Sequence, residues 1–191
     1  MSAPPPAHAT PGVSPGTQPP KGKRVQAIPA AVKAANPNAP VPFDACGTST
    51  TATAAASCSA QTQDAIKTAD LVVVFAGTDA NTAGEGSDRT SLAMPGNYDS
   101  LISQVAAVGN PRTVLSLQTD GPVDIENVKS DFPASVYSAY NGESQGAALA
   151  DVLFGKQNPS GHHDFTWYKD DSQLPSIHNY GLSPADTGGL G

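Results

Sequence analysis

Charge is scarce in this chain. Asp, Glu, Lys and Arg make up 14% of its 191 residues and aromatics 6%, with two cysteines, two methionines and one tryptophan. The ten basic residues are outnumbered by seventeen acids, for a net charge of −7. That balance argues against a nucleic-acid partner, which needs a basic stripe. Residues 1–24 contribute Lys21, Lys23 and Arg24 and no acid, so the remainder is more acidic still. Such a surface suits a neutral substrate such as a sugar, or serves solubility alone. No apolar run is long enough to span a membrane, so no membrane partner is expected. The N-terminus lacks the charged region followed by an apolar one that marks a signal peptide. Two cysteines without clustered histidines argue against a zinc site, and no cofactor or metal is expected. No internal repeat is present.

Glycine and proline, at 18 each, are abundant. Much of the proline falls within Met1–Arg24, which has no aliphatic run to bury and is expected to be a disordered Pro-rich tail. One domain is expected over 25–182, large enough for a single core, followed by a flexible end over 183–191. Cys46 and Cys58 flank a small, polar segment with little else to hold it. A disulfide there would close the loop and add about 2–3 kcal/mol; two unpaired thiols are the alternative. Pairing implies an oxidising compartment and hence a secreted or extracellular location.

The hydrophobic pattern predicts an α/β chain. Gln26–Ala35 reads as a helix with Pro29 in its first turn, where proline is tolerated. Val41–Asp44 reads as a short strand and Ala60–Thr68 as a helix. Leu71–Ala76 is a continuous apolar run, as in strands covered on both faces of a parallel sheet. Leu101, Ile102, Val105 and Val108 recur at helical spacing within Asn97–Val108, and Gly109-Asn110-Pro111 stops that helix. Thr113–Gln118 and Ala134–Tyr140 read as strands, Val123–Val128 as a short helix or turn, Gly146–Phe154 as a helix, and Asp164–Tyr168 as a last short strand. Strands alternating with helices imply βαβ units. The expected fold is a three-layer α/β/α sandwich around a mostly parallel sheet.

The loop after the first long strand carries the most information. Ala83-Gly84-Glu85-Gly86-Ser87-Asp88-Arg89-Thr90-Ser91-Leu92-Ala93-Met94-Pro95-Gly96-Asn97 puts Glu85 between two glycines at the carboxyl end of a strand, where open α/β sheets bind ligands. Flanking glycines let the backbone approach a ligand closely. This stretch resembles the acid/base loop of family 3 glycoside hydrolases, the β-glucosidase and β-xylosidase group. Ala69–Gly77, Asn141–Gly146, Ala150–Gly155, Asn158–Gly161 and Phe165–Tyr168 resemble further segments of that family's C-terminal α/β domain, in order, and together span about residues 30–182. The resemblance implies retaining hydrolysis of a terminal β-linked glucose or xylose. In two-domain members a nucleophilic aspartate comes from an N-terminal (β/α)8 barrel, and the acid/base glutamate comes from the second domain. It places that glutamate at Glu85, with the barrel missing and Pro-rich sequence in its place. Such a chain would take a carbohydrate substrate and pack on a barrel in trans, or self-associate through the uncovered face. Glu85 read without the motif is a solvated loop acid. Asp88 and Arg89 are expected to form a local ion pair that holds the loop, and Glu143 to stabilise a loop or interdomain contact.

Two readings compete. Gly142-Glu143-Ser144-Gln145-Gly146 fits the G-x-S-x-G nucleophile elbow between a strand and a helix. Asp164, Asp170, Asp171 and His178 follow, with His162 and His163 also available. A small esterase would use Ser144 as nucleophile, His178 as base and Asp170 as its orienting acid. Alternatively the chain is a non-catalytic carbohydrate or interdomain module, with Trp167, Tyr168 and Tyr180 available for stacking on a sugar. A nucleotide site at the Gly77–Gly86 loop lacks both G-x-G-x-x-G spacing and a phosphate-binding lysine.

Overall fold

The computed structural model describes residues 28–86 and 88–176. The expected Pro-rich tail, the flexible end, Ser87, His178 and Tyr180 lie outside the described residues. Three parallel strands form one sheet in the order β1 (Val72–Gly77), β2 (Thr113–Gln118), β3 (Ala134–Ser138). The register pairs Val74 with Leu115 and Ala76 with Leu117, so these four side chains share one face. Helix α3 (Tyr98–Val108) buries Tyr98, Leu101, Ile102 and Val105 in the same core cluster. α2 (Ala60–Thr68) packs behind it. Its first turn is closed by Ser59, whose side chain accepts the Thr62 N–H at 3.1 Å.

The opposite face carries the alternate residues, among them Ser116 and Gln118. There Gln118 Nε2 donates to Gln145 Oε1 at 3.4 Å, the first residue of α4 (Gln145–Leu153). α4 packs against α1 (Ile28–Ala35), burying Leu149 and Ala150 with Ile28 and Ala31. Helix layers on both faces of a parallel sheet make the α/β sandwich that the sequence pattern implied.

Strand β1 starts and ends one residue later than the apolar run suggests, β3 stops at Ser138, and α4 begins at Gln145. Residues 26–27 of the first predicted helix lie outside the described residues. Two predicted strands do not form. Val41–Asp44 is irregular, because Val41 stands between Pro40 and Pro42 and proline cannot donate to a ladder. Phe43 is left 66% exposed. Asp164–Tyr168 is also irregular. Its rings pack instead, with Phe165 and Trp167 edge-on to Tyr137 of β3 at 6.0 and 5.1 Å. The Trp167 indole N–H donates to the Val123 carbonyl at 2.8 Å. Val123–Val128 contains a turn, which leads into a 3-10 turn at Lys129–Asp131.

The two cysteines are joined as the disulfide Cys46–Cys58. Both are buried in the α3-side core beside Ala56 and Val74.

Candidate active site

Parallel strands expose their carboxyl ends along one edge, and the loops that leave β1, β2 and β3 meet there. Thr78 follows β1 and is fully buried. Its hydroxyl accepts the Asp120 N–H at 3.0 Å and lies 2.8 Å from Asp120 Oδ1 and 2.7 Å from the Tyr140 hydroxyl. With the carboxylate as acceptor only, Thr78 donates to Asp120 and Tyr140 donates to Thr78. One hydroxyl thus ties together the ends of all three strands. Burial, above all, raises the Tyr140 phenol beyond its ordinary value, and the charges of Asp120 and Asp79 add to it.

Arg89 fixes the β1 loop to the β2 loop. Its guanidinium donates to Asp120 Oδ1 at 3.3 Å, to the Ser91 carbonyl at 3.3 Å and to the Pro122 carbonyl at 3.1 Å. The expected Asp88–Arg89 pair is therefore corrected: the partner of Arg89 is Asp120, and Asp88 is exposed. The planar guanidinium presents several donors at once, and here they are taken by Asp120 and by the Ser91 and Pro122 carbonyls. Farther along, Asp171 accepts the Ser91 hydroxyl at 2.7 Å and the Leu92 N–H at 2.6 Å. Arg89, Leu92, Asp120, Asp171 and Leu174 line an open cleft of about 440 Å³.

The Leu92 and Ser91 hydrogen bonds hold the Asp171 carboxyl below the usual aspartate range. A depressed folded-state value stabilises the contact above the unfolded aspartate value, about 3.9, and the contribution is lost as pH falls through the folded value. Acid should therefore release the 170–174 segment from the β1 loop while the sheet persists. Trp167, the only tryptophan, lies just before that segment. Its emission should change below about pH 4, and Asp171→Asn should abolish that step.

Glu85 is exposed on the turn between Gly84 and Gly86, and Gly86 has φ +75°. A preceding turn over residues 80–82 is closed by Asp79, whose backbone carbonyl accepts the Ala83 N–H at 3.1 Å and whose side chain accepts the Asn81 N–H at 2.9 Å. Glu85 and Arg89 thus belong to the same loop, which Arg89 ties to Asp120 of the β2 loop at the same sheet edge. Glu143 lies in the 3-10 turn Gly142–Ser144 after β3.

The esterase constellation is not assembled by the described residues. Ser144 has φ −96° and ψ 10°, without the strained turn that lifts a nucleophile above its sheet. The Asp170 carboxylate accepts the Ser172 N–H at 2.8 Å and the Ser172 hydroxyl, which closes the turn Asp171–Gln173. The remaining member, His178, lies outside the described residues.

Residues 6–188 match the family described as Glycosyl hydrolase family 3 C-terminal domain. The curated relative Probable beta-D-xylosidase 6 of Arabidopsis thaliana is 42% identical over 104 residues, covering 53% of this chain and 13% of that protein. Beta-xylosidase/alpha-L-arabinofuranosidase 1 of Medicago sativa subsp. varia is 34% identical over 114 residues, 57% of this chain and 15% of that one. The crystal structure of a GH3 beta-glucosidase from Bifidobacterium adolescentis is similar with a TM-score of 0.68 at 28% identity, covering 82% of this chain and 23% of that chain. The matches to the two curated relatives thus span 13–15% of those proteins' own length.

Proposed function

We propose that this chain, which belongs to glycosyl hydrolase family 3 as its C-terminal domain, supplies the general acid/base carboxyl, Glu85, for retaining hydrolysis of a terminal β-linked sugar. The observation that carries the reading is the place of Glu85. It is an exposed carboxyl on a glycine-flanked turn at the carboxyl edge of a parallel sheet, on a loop pinned by Arg89 to the next strand end. A β-linked xylose is the first substrate to test, since the curated relatives with the cited identities are named β-xylosidases; glucose is the second. The buried disulfide supports an oxidising compartment.

In this chemistry an aspartate on a partner barrel attacks the anomeric carbon while Glu85 protonates the departing glycosidic oxygen. Glu85, now a carboxylate, then takes a proton from the water that releases the sugar with its configuration retained. The two carboxyl groups must stand about 5–5.5 Å apart.

The test is to mix the chain with a separately expressed barrel from a family 3 β-xylosidase and follow aryl β-xyloside hydrolysis. Turnover should exceed that of the barrel alone. A folded chain that docks on the barrel without raising turnover would remove the reading.

A further inference from the structure

We propose that the disulfide-closed loop between Cys46 and Cys58 is a bracket that positions the Glu85 loop from both of its ends, with Thr50 and Asn97 as the positioning residues. This deepens the acid/base reading of Glu85.

Between the cysteines stand only Gly, Thr, Ala and Ser. Ala56 and the two cysteines are buried in the core, and the rest of the loop takes its shape from the covalent closure and from polar contacts. Those contacts go to two places. At the start of the Glu85 loop, the Thr50 hydroxyl donates to Asp79 Oδ2 at 2.9 Å, and Asp79 closes the turn over residues 80–82 that directly precedes Gly84 and Glu85. At the far end, Asn97 is buried and holds the bracket in three directions. Its Oδ1 accepts the Ser49 N–H at 3.0 Å, and its Nδ2 donates to the carbonyls of Gly47 at 3.1 Å and Ala54 at 2.9 Å.

The bracket is then fastened along one stripe of α3. Ser100 Oγ accepts the Ala56 N–H at 2.6 Å, and Gln104 Oε1 accepts the Cys58 N–H at 3.1 Å. Gln104 also donates to the Ala56 carbonyl. Residues 97, 100 and 104 follow the i, i+3, i+7 spacing of a single helical face. One side of the bracket is therefore seated on a rigid helix, and the other reaches Asp79. The Glu85 loop leaves the sheet at Thr78 and re-enters regular structure at Asn97. Asp79, next to the first of these points, and Asn97 are both held by the same closed loop, so the disulfide limits how far they can move apart or twist.

Native-state hydrogen exchange on the full chain, read by mass spectrometry, tests this without turnover and so separately from the acid/base reading. Thr50→Val removes the hydroxyl at nearly constant volume. It should raise exchange in the peptide covering 79–92 about tenfold, the effect of losing one hydrogen bond to a carboxylate. Thr50→Ser should restore protection. A Cys46→Ala/Cys58→Ala double variant should loosen both 46–58 and 79–92 while β2 stays protected. The proposal is overturned if Thr50→Val leaves 79–92 unchanged, or if β2 loses protection to the same extent. Should the double variant unfold outright, the Thr50 pair decides alone.

Discussion

Replacing Glu85 by glutamine should lower kcat/KM for a xyloside with a poor leaving group by about 10²–10⁴ in the barrel-complemented protein. Glutamine keeps the shape of the side chain and its place between Gly84 and Gly86, but it has no proton to give. A dinitrophenyl xyloside, whose leaving group departs as a stable phenolate, should keep most of its rate in the bond-breaking step. The glycosyl intermediate should then accumulate, because no base remains to activate water. With Glu85→Ala, added azide should take the place of that water and yield a β-xylosyl azide. Three responses in one variant series would be hard to mimic by a change in folding: a loss that depends on the leaving group, a stalled second step and anion rescue. Equal losses on both substrates, without azide product, would reduce Glu85 to a surface acid of the loop.

The sequence pattern identified the parts of the molecule governed by local rules. The apolar run beginning at Leu71 and the 3.6-residue spacing in α3 each follow from burial on a periodic backbone, and both elements form within a residue of their expected bounds. Val41–Asp44 misleads because its apolar character suggests a strand, while Pro40 and Pro42 on either side of Val41 cannot donate to a ladder. Asp164–Tyr168 misleads because its aromatics satisfy themselves by stacking, with no ladder required. The candidate site divides along the same line. Glu85 is legible through its two glycines and its place after a strand. The partners that hold its loop are not, because they are distant in sequence: Asp120 lies 31 residues beyond Arg89, and Asp171 lies 80 beyond Ser91. The parallel register, which brings every strand's carboxyl end to one edge, makes Asp120 a neighbour, and Asp171 arrives on the later 3-10 turn Asp171–Gln173. Thr78, Asp120 and Tyr140 could have been nominated by that rule alone, since each stands one or two residues past a strand. Asn97 had no such signal; its importance lies in carbonyls of a loop whose path the sequence does not reveal.

Two glycine substitutions should separate backbone strain from steric exclusion. Gly96 and Gly109 bracket α3, and both sit at positive φ, +60° and +74°. Alanine at either position carries the penalty of the left-handed region, about 1–3 kcal/mol. At Gly109 nothing lies within 4 Å of an added Cβ, so that penalty is the whole cost. At Gly96 the same carbon would lie 1.9 Å from the Ser49 carbonyl oxygen, and that obstacle is backbone, fixed by the Asn97 N–H and held inside the disulfide loop. Either the bracket lifts off α3 or the helix start is displaced. Both outcomes break the Asn97 contacts, so Gly96→Ala should cost several kcal/mol, in the range of about 4–5 that marks exceptional substitutions. Urea unfolding of the two variants side by side should show a modest shift in midpoint for Gly109→Ala and a much larger one for Gly96→Ala. Equal shifts would mean that the 46–58 loop yields at little cost, and with it the rigidity on which the placement of Glu85 depends.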